Sequence, residues 1–272
     1  MTSIRTPRSS KLIEWDPING ATGALIRDVD VREIDADWVA ECRRLVTDRC
    51  VVVIPGQHLT AAEQVTFSGL WGERYVTKAS EKKSEDHPEL LILRNYGKDK
   101  IDTETWHSDV SFLERPPAFG ILSAHVVPFG GDTIFANQYL AYAALSDTLR
   151  GLLDGMHGIH EHLRLASNYG LSNKPWSSHP AIRTIPETGR KCLYVSSCYT
   201  TRFEGMTEAE SSGLLRYLTD HAVSNEFIYR HHWTVGDLVI WDNRCTQHYA
   251  VHDYGDQERL LYRAAMAGER PE

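Results

Sequence analysis

The pair of residues best suited to chemistry in this 272-residue sequence is a histidine and an aspartate two positions apart, His107 and Asp109. On a β-strand, side chains two positions apart point to the same face, so the imidazole and the carboxylate would be adjacent. A third histidine from a distant strand would complete the two-histidine, one-carboxylate ligand set of a non-haem Fe(II) site. His248 is the candidate because it follows a hydrophobic strand predicted over Asp237–Trp241. Without that third ligand, the pair has a simpler explanation, which is a hydrogen bond at the protein surface.

Two arginines near the end of the sequence form a second candidate site. Arg259 and Arg263 are four positions apart, so a strand would place both guanidinium groups on one face. Leu260 and Tyr262 would then lie on the other face. Arginine binds carboxylates through two parallel hydrogen bonds, so two arginines near a metal predict a site for a dicarboxylate cosubstrate and a second anion. The alternative is a solvated edge strand that carries two surface arginines.

The composition argues against several classes of protein. With 42% hydrophobic and 24% charged residues, the chain has the composition of an ordinary globular protein. Its formal net charge is -8 and its basic residues are scattered, which argues against a nucleic-acid binder. A small anionic ligand would therefore have to be bound by a few arginines placed locally in a pocket.

The cysteines and the hydropathy pattern predict a location. The five cysteines are odd in number and form no Cys-x-x-Cys pair, which argues against a disulfide framework or a thiolate zinc site and favours a reducing cytoplasm. No apolar run follows the first residues, and no run elsewhere approaches the ~20 residues that a membrane helix needs. We therefore expect neither export nor a membrane span.

Short strands dominate the elements that must position the candidate residues. Apolar runs bounded by Gly, Pro, Asn or Asp predict strands over Val51–Ile54, Leu90–Leu93, Phe119–Val127, Thr133–Ala136, Cys192–Ser196, Phe227–Trp233, Asp237–Trp241 and Leu260–Met266. No regular alternation of strands and helices occurs, and no glycine-rich nucleotide-binding motif is present. We therefore expect a mainly β fold with flanking helices, a jelly roll, in a single domain over residues 1–272.

Four helices are predicted around these strands. Capping boxes, in which a threonine and a glutamate three positions later satisfy each other's backbone donors, predict helices that begin after Thr60 and Thr207. Two more helices are predicted over Asp37–Asp48 and Tyr139–Leu153. The polar segment Leu163–Ser178 is long for a connection and predicts either a lid or a surface loop without a catalytic role.

Several ordered blocks of the sequence resemble the taurine dioxygenase family of Fe(II)/2-oxoglutarate-dependent oxygenases, which also includes aryloxyalkanoate dioxygenases and alkylsulfatases. The blocks are Gly23–Asp30, Trp106–Phe112, Pro116–Pro117, Gly130–Thr133 and Trp241–Arg244, followed by His248, Arg259 and Arg263. They extend over nearly the full length of the chain. The resemblance implies a double-stranded β-helix, which is the cupin-like form of the jelly roll.

The resemblance also implies roles for individual residues. His107, Asp109 and His248 are expected to bind a catalytic iron ion. They are thus both the metal ligands and the catalytic residues. Thr133 and Arg259 are expected to hold the distal carboxylate of 2-oxoglutarate.

With O2, the cosubstrate would yield succinate and CO2 while a C–H bond is hydroxylated. Asp109 stands where halogenating relatives have a small residue, which favours hydroxylation over halogenation. A homodimer or homotetramer is also implied.

The substrate implied by the resemblance is a small anion. Arg263 is the expected substrate-side arginine, and a buried arginine without an anion would be costly, so a carboxylate, sulfonate or sulfate is expected. Taurine itself is disfavoured, because Thr77 and Thr103 stand where taurine-specific members have other polar residues. The segment Ser197–Met206 is more similar to the aryloxyalkanoate branch of the family than to the taurine enzymes. We therefore expect an aryloxyalkanoate, alkylsulfate, sulfonate or carboxylate.

Other histidines and other functions were weighed against this interpretation. The cluster His157–His162 is expected to be solvent-exposed or hydrogen-bonded, His231 and His232 to point to opposite faces of a strand, and His252 to lie at the surface. Two alternative functions are a non-catalytic jelly roll that senses 2-oxoglutarate or an anion, and a metal-dependent hydrolase that uses the same three ligands. The hydrolase leaves the pair Thr133 and Arg259 unexplained.

Overall fold

The computed structural model describes residues 8–9, 13–76, 84, 86–94, 104–162 and 175–272. The strands in these residues are β1 Arg8–Ser9, β2 Glu14–Pro17, β3 Ala24–Ile26, β4 Val51–Ile54, β5 Leu91–Arg94, β6 Phe119–Val126, β7 Thr133–Asn137, β8 His157–Glu161, β9 Trp176–Pro180, β10 Ile182–Thr184, β11 Lys191–Leu193, β12 Thr200–Phe203, β13 Ile228–His231, β14 Leu238–Asp242, β15 Thr246–Ala250 and β16 Leu260–Met266. The α-helices are α1 Ala36–Arg49, α2 Ala61–Gly69, α3 Gln138–Ala143, α4 Asp147–Leu153 and α5 Glu208–Ala222.

An eight-stranded sheet forms the base of the fold, in the order β1-β2-β3-β4-β14-β6-β16-β5. Its central strands are continuous runs of apolar residues. In β4, Val51, Val52, Val53 and Ile54 are all buried, as β-branched residues are when both faces of a sheet are covered. Pairing of β14 with β4 and with β6 is antiparallel. Such strands can be predicted from local sequence because burial on both faces requires an unbroken apolar run.

The two faces of this sheet carry different cores. Val52 and Ile54 belong to a core shared with Trp38 of α1 and Phe67 of α2. Val51 and Val53 point to the opposite face, because side chains alternate along a strand. That second core includes Phe135 of β7, which belongs to another sheet. The large sheet therefore has helices on one face and a further sheet on the other.

Three smaller sheets complete the fold. One has the order β13-β7-β15, a second has the order β12-β8-β9, and β10 pairs with β11. In the first of these, Thr133 of β7 pairs with Ala250 of β15 and His248 pairs with Phe135. The sheet that faces the second core thus carries two of the candidate site residues.

The helix starts predicted by the capping boxes are confirmed, whereas one predicted helix is wrong. Thr60 accepts a hydrogen bond from the backbone of Glu63, and the carboxylate of Glu63 accepts one from the backbone of Thr60 at 2.8 Å. The segment predicted as one helix, Tyr139–Leu153, forms the two helices α3 and α4. Ser146 starts a new helix there by accepting a hydrogen bond from the backbone N–H of Leu149 at 3.3 Å.

Within the described residues, the length and hydropathy that a membrane-spanning helix requires are met by no helix. All five cysteines have free thiols, and Cys198 is the one that is partly exposed.

Candidate metal centre

Backbone hydrogen bonds join the two histidines of the candidate site. The N–H of His107 donates to the carbonyl of His248 at 3.2 Å, and the N–H of His248 donates to the carbonyl of His107 at 2.8 Å. This pair is an isolated bridge between two distant parts of the chain. His107 and Asp109 are therefore not brought together by a continuous strand, because Asp109 lies in a turn that follows the bridge.

Asn243 holds that turn in place. Its side-chain oxygen accepts from the backbone N–H of Asp109 at 2.7 Å, and its amide donates to the carbonyl of Asp109 at 3.2 Å. The same amide donates to the carbonyl of Pro117 at 2.9 Å. Asn243 follows β14 directly, so the base sheet fixes the position of Asp109.

The three side chains converge on one point. The Nε2 atoms of His107 and His248 each lie 3.6 Å from the same oxygen of Asp109, Oδ1. One ligand atom from each residue lies within 4.8 Å of the others, and all three residues are buried. Among the described residues, this is the one group of three or more such side chains close enough to hold a metal ion.

The protonation states suit a metal. Nδ1 of His107 lies 2.6 Å from the carbonyl of Thr105, to which it donates, and this hydrogen bond orients the ring so that Nε2 faces Asp109. Burial and the neighbouring His107 lower the pKa of His248 to about 3, which keeps that imidazole neutral. Burial raises the pKa of Asp109, but Arg263 and His248 outweigh it and hold that pKa below its ordinary value. Two imidazoles and one carboxylate match the donor set of a non-haem Fe(II) site.

Aromatic side chains close the site from the core side. The ring of His248 lies 5.1 Å from that of Trp241 and 6.1 Å from that of Phe135. Trp241 reaches this place by crossing Gly120 on β6, where a Cβ atom would lie 2.1 Å from the indole. No other residue type fits at Gly120 without moving the tryptophan. The candidate ligand His248 is therefore held in apolar surroundings.

A cavity of about 80 Å³ adjoins His248 and contains the predicted cosubstrate residues. Thr133, Arg259 and Arg263 all line it. The guanidinium Nε of Arg259 donates to the carbonyl of Gly131 at 3.2 Å. Gly131 has a φ of +72°, and a Cβ atom there would lie 3.2 Å from the Arg259 side chain, so glycine allows this close approach. Both arginines line this one cavity, although Arg259 precedes β16.

Arg263 also contacts the candidate metal ligands. Its Nη2 atom lies 2.5 Å from Oδ2 of Asp109, on the carboxylate oxygen that does not face the two histidines. The guanidinium carbon lies 5.7 Å from the centre of the Trp241 ring. Arg263 therefore provides positive charge at the edge of the site.

The sequence did not identify a hydrogen-bonded pair, Glu104 and His252, that lies at this cavity. Nδ1 of His252 lies 2.8 Å from Oε1 of Glu104, and both residues line the cavity. His252, which was expected at the surface, is partly buried, with 18% of its side chain exposed. The sequence does place an acidic residue, Glu104, three positions before His107, and this proximity could have marked Glu104 as a residue near the site. Its partner is 148 positions away, so the pairing itself has no local signature.

The remaining predicted residues fall into two groups. Thr77 and Thr103 lie outside the described residues, as does the part of the predicted lid over 163–174. In the histidine cluster, His157 is exposed and His160 is buried with Nδ1 2.9 Å from the hydroxyl of Ser111, as expected. His231 is buried and His232 is largely exposed, which confirms that they point to opposite faces.

Comparisons with known proteins agree with this geometry. The model of the taurine catabolism dioxygenase TauD, TfdA family matches residues 15–265. The alpha-ketoglutarate-dependent 2,4-dichlorophenoxyacetate dioxygenase of Cupriavidus pinatubonensis is 34% identical over 261 residues, which cover 86% of this chain and 90% of that protein. The alpha-ketoglutarate-dependent sulfate ester dioxygenase of Pseudomonas putida is 32% identical, over 95% of this chain and 91% of that protein.

A solved structure is similar to this protein over nearly its whole length. The crystal structure of AAD-2 in complex with Mn(II) and N-oxalylglycine has a TM-score of 0.86 and 28% identity, and the match covers 95% of this chain and 99% of that chain. These matches make the protein a dioxygenase by family. The chain belongs to the TauD, TfdA family. The predicted family, the mainly β jelly-roll fold with flanking helices and the oxidoreductase class are confirmed.

Proposed function

We propose that this protein is an Fe(II)- and 2-oxoglutarate-dependent dioxygenase that hydroxylates a C–H bond of a small anionic organic substrate and releases succinate and CO2. The observation that carries the proposal is the convergence of His107, Asp109 and His248. Two imidazole nitrogens face one carboxylate oxygen at 3.6 Å in a buried site beside a cavity that contains arginine. When bound, iron would supply the redox chemistry and the positions at which cosubstrate and O2 meet.

The chain's own residues would bind and orient the cosubstrate. Arg259 is buried, it lines this cavity, and its Nε atom donates to the carbonyl of Gly131, which fixes the position of a guanidinium that would bind a carboxylate. Thr133 offers a hydroxyl in the same cavity. Support comes from AAD-2, whose structure holds Mn(II) with N-oxalylglycine, an isostere of 2-oxoglutarate.

Arg263 would bind the acidic group of the substrate. It lines the cavity next to His248 and reaches the ligand Asp109, so an anion held by it would lie beside the metal. The names of the two relatives support such a substrate, since they specify 2,4-dichlorophenoxyacetate and sulfate esters. The substrate class that follows is an aryloxyalkanoate, alkylsulfate, sulfonate or carboxylate. Thr77 and Thr103 are proposed as further substrate contacts on the basis of sequence alone.

An anaerobic titration of the apoprotein with Fe(II) and 2-oxoglutarate tests the proposal. We expect the weak visible absorption of a metal-chelated keto acid, and slow formation of succinate when O2 is admitted. His107→Ala should abolish both signals. A sensor would give the absorption without succinate, and a hydrolase would give neither and would act without O2.

Three further expectations remain part of the proposal. They are a single domain over residues 1–272, a homodimer or homotetramer, and a cytoplasmic location. Light scattering on the purified protein would give the oligomeric state.

A further inference from the structure

Glu104 places a carboxylate in the cavity that is proposed to bind an anionic cosubstrate. It lines the cavity of about 80 Å³ together with His252 and Arg259, and its side chain is only 8% exposed. Charges inside a protein are screened much less than charges at its surface. A carboxylate at this place therefore opposes the binding of a dianion such as 2-oxoglutarate, unless a neighbouring group holds it.

His252 is the group that holds this carboxylate. Its Nδ1 atom lies 2.8 Å from Oε1 of Glu104. Nδ1 is the donor in this contact, because an ionised carboxylate can only accept. The imidazole is also stacked on Tyr254, with the ring centres 4.6 Å apart and the ring planes 29° from parallel. The stacking fixes the imidazole, and the hydrogen bond then fixes the direction of the carboxylate.

Tyr254 lies next to both this pair and Arg259. The guanidinium carbon of Arg259 lies 5.9 Å from the centre of the tyrosine ring. Both side chains pack on Gly131, where a Cβ atom would lie 3.0 Å from the tyrosine ring and 3.2 Å from Nε of Arg259. Burial raises the pKa of Tyr254, Arg259 lowers it and Glu104 raises it. The acid and the arginine are thus neighbours of the same ring.

Arg259 is the arginine that a released Glu104 would approach. Three arginines line the cavity, and they differ in their surroundings. Nη2 of Arg263 already lies 2.5 Å from Asp109, and Arg94 is exposed at the end of β5. Arg259 is buried, and opposite charges attract each other more strongly away from water. A carboxylate that lost its histidine would therefore compete with the cosubstrate for Arg259.

We propose that His252 is a positioning residue for cosubstrate binding, because it holds Glu104 away from Arg259 and so prevents this acid from competing with the distal carboxylate of 2-oxoglutarate. This inference rests on the proposed function, which assigns the distal carboxylate to Arg259. In this role His252 contacts neither the cosubstrate nor the metal, and it acts through Glu104.

His252→Phe removes the hydrogen bond and keeps a ring that can stack on Tyr254. Dissociation constants are measured by calorimetry on the anaerobic protein loaded with Fe(II). We expect the dissociation constant of 2-oxoglutarate to rise about tenfold, as for one hydrogen bond to a charged group. An unchanged constant would overturn the proposal.

His221→Phe is the matched control. Nε2 of His221 donates to the carbonyl of Ala141 at 2.8 Å, and its ring is stacked on that of Tyr217. The substitution thus removes the same kind of contacts, but on helix α5, away from the cavity. This variant should bind 2-oxoglutarate as the wild-type protein does.

A second substitution distinguishes competition from a loss of packing. Glu104→Gln removes the charge that would compete for Arg259. The double variant His252→Phe/Glu104→Gln should therefore bind 2-oxoglutarate about as tightly as the wild-type protein does. If His252 only supported the packing of Tyr254, the removal of a second charged group would restore nothing. A double variant that binds as weakly as His252→Phe would contradict the proposal.

A shorter-charged keto acid locates the effect at Arg259. 2-Oxopentanoate has the carbon chain of 2-oxoglutarate without the distal carboxylate, so Arg259 has no anion to bind. Its dissociation constant should be the same in His252→Phe and in the wild-type protein. An equal weakening of both keto acids would place the effect at the metal centre and would overturn the role assigned to His252.

Failure of the proposed function gives a different result. If the wild-type protein loaded with Fe(II) shows neither keto-acid absorption nor heat of binding with 2-oxoglutarate, the proposed function is rejected. If the wild-type protein binds 2-oxoglutarate and His252→Phe binds it equally tightly, only the role of His252 is wrong.

Discussion

Trp233 determines how the hydroxyl group of Thr133 can be used. The indole N–H of Trp233 donates to Oγ1 of Thr133 at 3.0 Å, and both residues are buried. Because the hydroxyl oxygen accepts this hydrogen bond, its own hydrogen remains available for another acceptor. In the proposed enzyme, that acceptor is the distal carboxylate of 2-oxoglutarate. Trp233 would thus act as a positioning residue through Thr133.

We predict that Trp233→Phe raises the dissociation constant of 2-oxoglutarate about fivefold, equivalent to ~1 kcal/mol for one hydrogen bond. The measurement is the anaerobic titration that follows the keto-acid absorption. Thr133→Val provides the second side of a double-mutant cycle. If the effect of Trp233→Phe is as large in the Thr133→Val background as in the wild-type protein, the tryptophan does not act through this hydroxyl.

Substitution of the two arginines should change different Michaelis constants. Arg259→Ala is expected to raise the KM for 2-oxoglutarate about 100-fold, because two charged hydrogen bonds of ~1.5 kcal/mol each are lost. The KM for the organic substrate should change far less. Arg263→Ala should show the opposite pattern. Steady-state kinetics with each compound varied in turn gives both constants, and equal changes in the two would contradict the assignment of Arg259.

At the scale of elements, helix α5 is an independent structural support. Thr207 accepts from the backbone of Glu210, whose carboxylate accepts from the backbone of Thr207 at 2.9 Å. Buried residues of the helix, Leu215 and Leu218, belong to a third core that contains Phe203 of β12. No residue of the metal centre comes from this helix.

We predict that Thr207→Ala lowers the free energy of unfolding by about 1 kcal/mol, as loss of a helix N-cap does. Urea denaturation of the apoprotein measures the change. Thr207→Ser retains the hydroxyl and should preserve stability. Both variants should bind Fe(II) and 2-oxoglutarate as the wild-type protein does, and weaker cosubstrate binding in Thr207→Ala would show that α5 supports the site after all.

Local sequence predicted elements whose residues are buried on both faces or capped by near neighbours. Strands β4 and β14 are continuous apolar runs, and the capping boxes lie within four residues. By contrast, β8 is His157–Glu161 and β15 is Thr246–Ala250, and both mix polar and apolar residues without an alternating pattern. Their strand conformation depends on pairing with distant partners, such as β7 for β15, which no local pattern encodes.

The same distinction, between local and distant contacts, explains which features of the candidate site were predictable. Residue type, spacing and family resemblance were enough to propose His107, Asp109 and His248, whose side chains converge in the structure. The turn that presents Asp109 depends on Asn243, which is 134 positions away, so it was not predictable from the His-x-Asp spacing. The pairing of Glu104 with His252 escaped prediction for the same reason.

At the scale of the whole molecule, the net charge of the protein has the same sign as the charge of the proposed ligands. The formal net charge is -8, which repels small anions at long range. The proposed ligands are anionic, so the attraction must come from the arginines at the site. Burial strengthens these local interactions, because screening by water and salt is weaker there.

Two buried histidines connect the sheet β12-β8-β9 to the segment that follows the candidate metal ligand Asp109. His160 lies 2.9 Å from the hydroxyl of Ser111, and Nε2 of His179 lies 2.9 Å from the carbonyl of Leu113. Their rings are 5.2 Å apart. Burial, together with the nearby His179, lowers the pKa of His160 to about 3, and burial lowers the pKa of His179 to about 4.

These pKa values predict that acid destabilises the protein through this pair. In the unfolded chain, each histidine binds a proton near pH 6.5, whereas in the folded protein both stay neutral down to about pH 4. The unfolded state therefore holds more protons between these limits, and the free energy of unfolding falls as the pH decreases. Each histidine contributes a slope of up to ~1.4 kcal/mol per pH unit, and the stability is fully present above pH 6.5.

Urea denaturation at pH 7 and pH 5 measures this slope. His160→Gln keeps a polar side chain without a titrating group, so the loss of stability between the two pH values should be smaller by about 1 to 2 kcal/mol than in the wild-type protein. His157→Gln is the matched control, since His157 is an exposed histidine on the same strand. An unchanged pH dependence in His160→Gln would show that His160 binds protons equally in the folded and unfolded states.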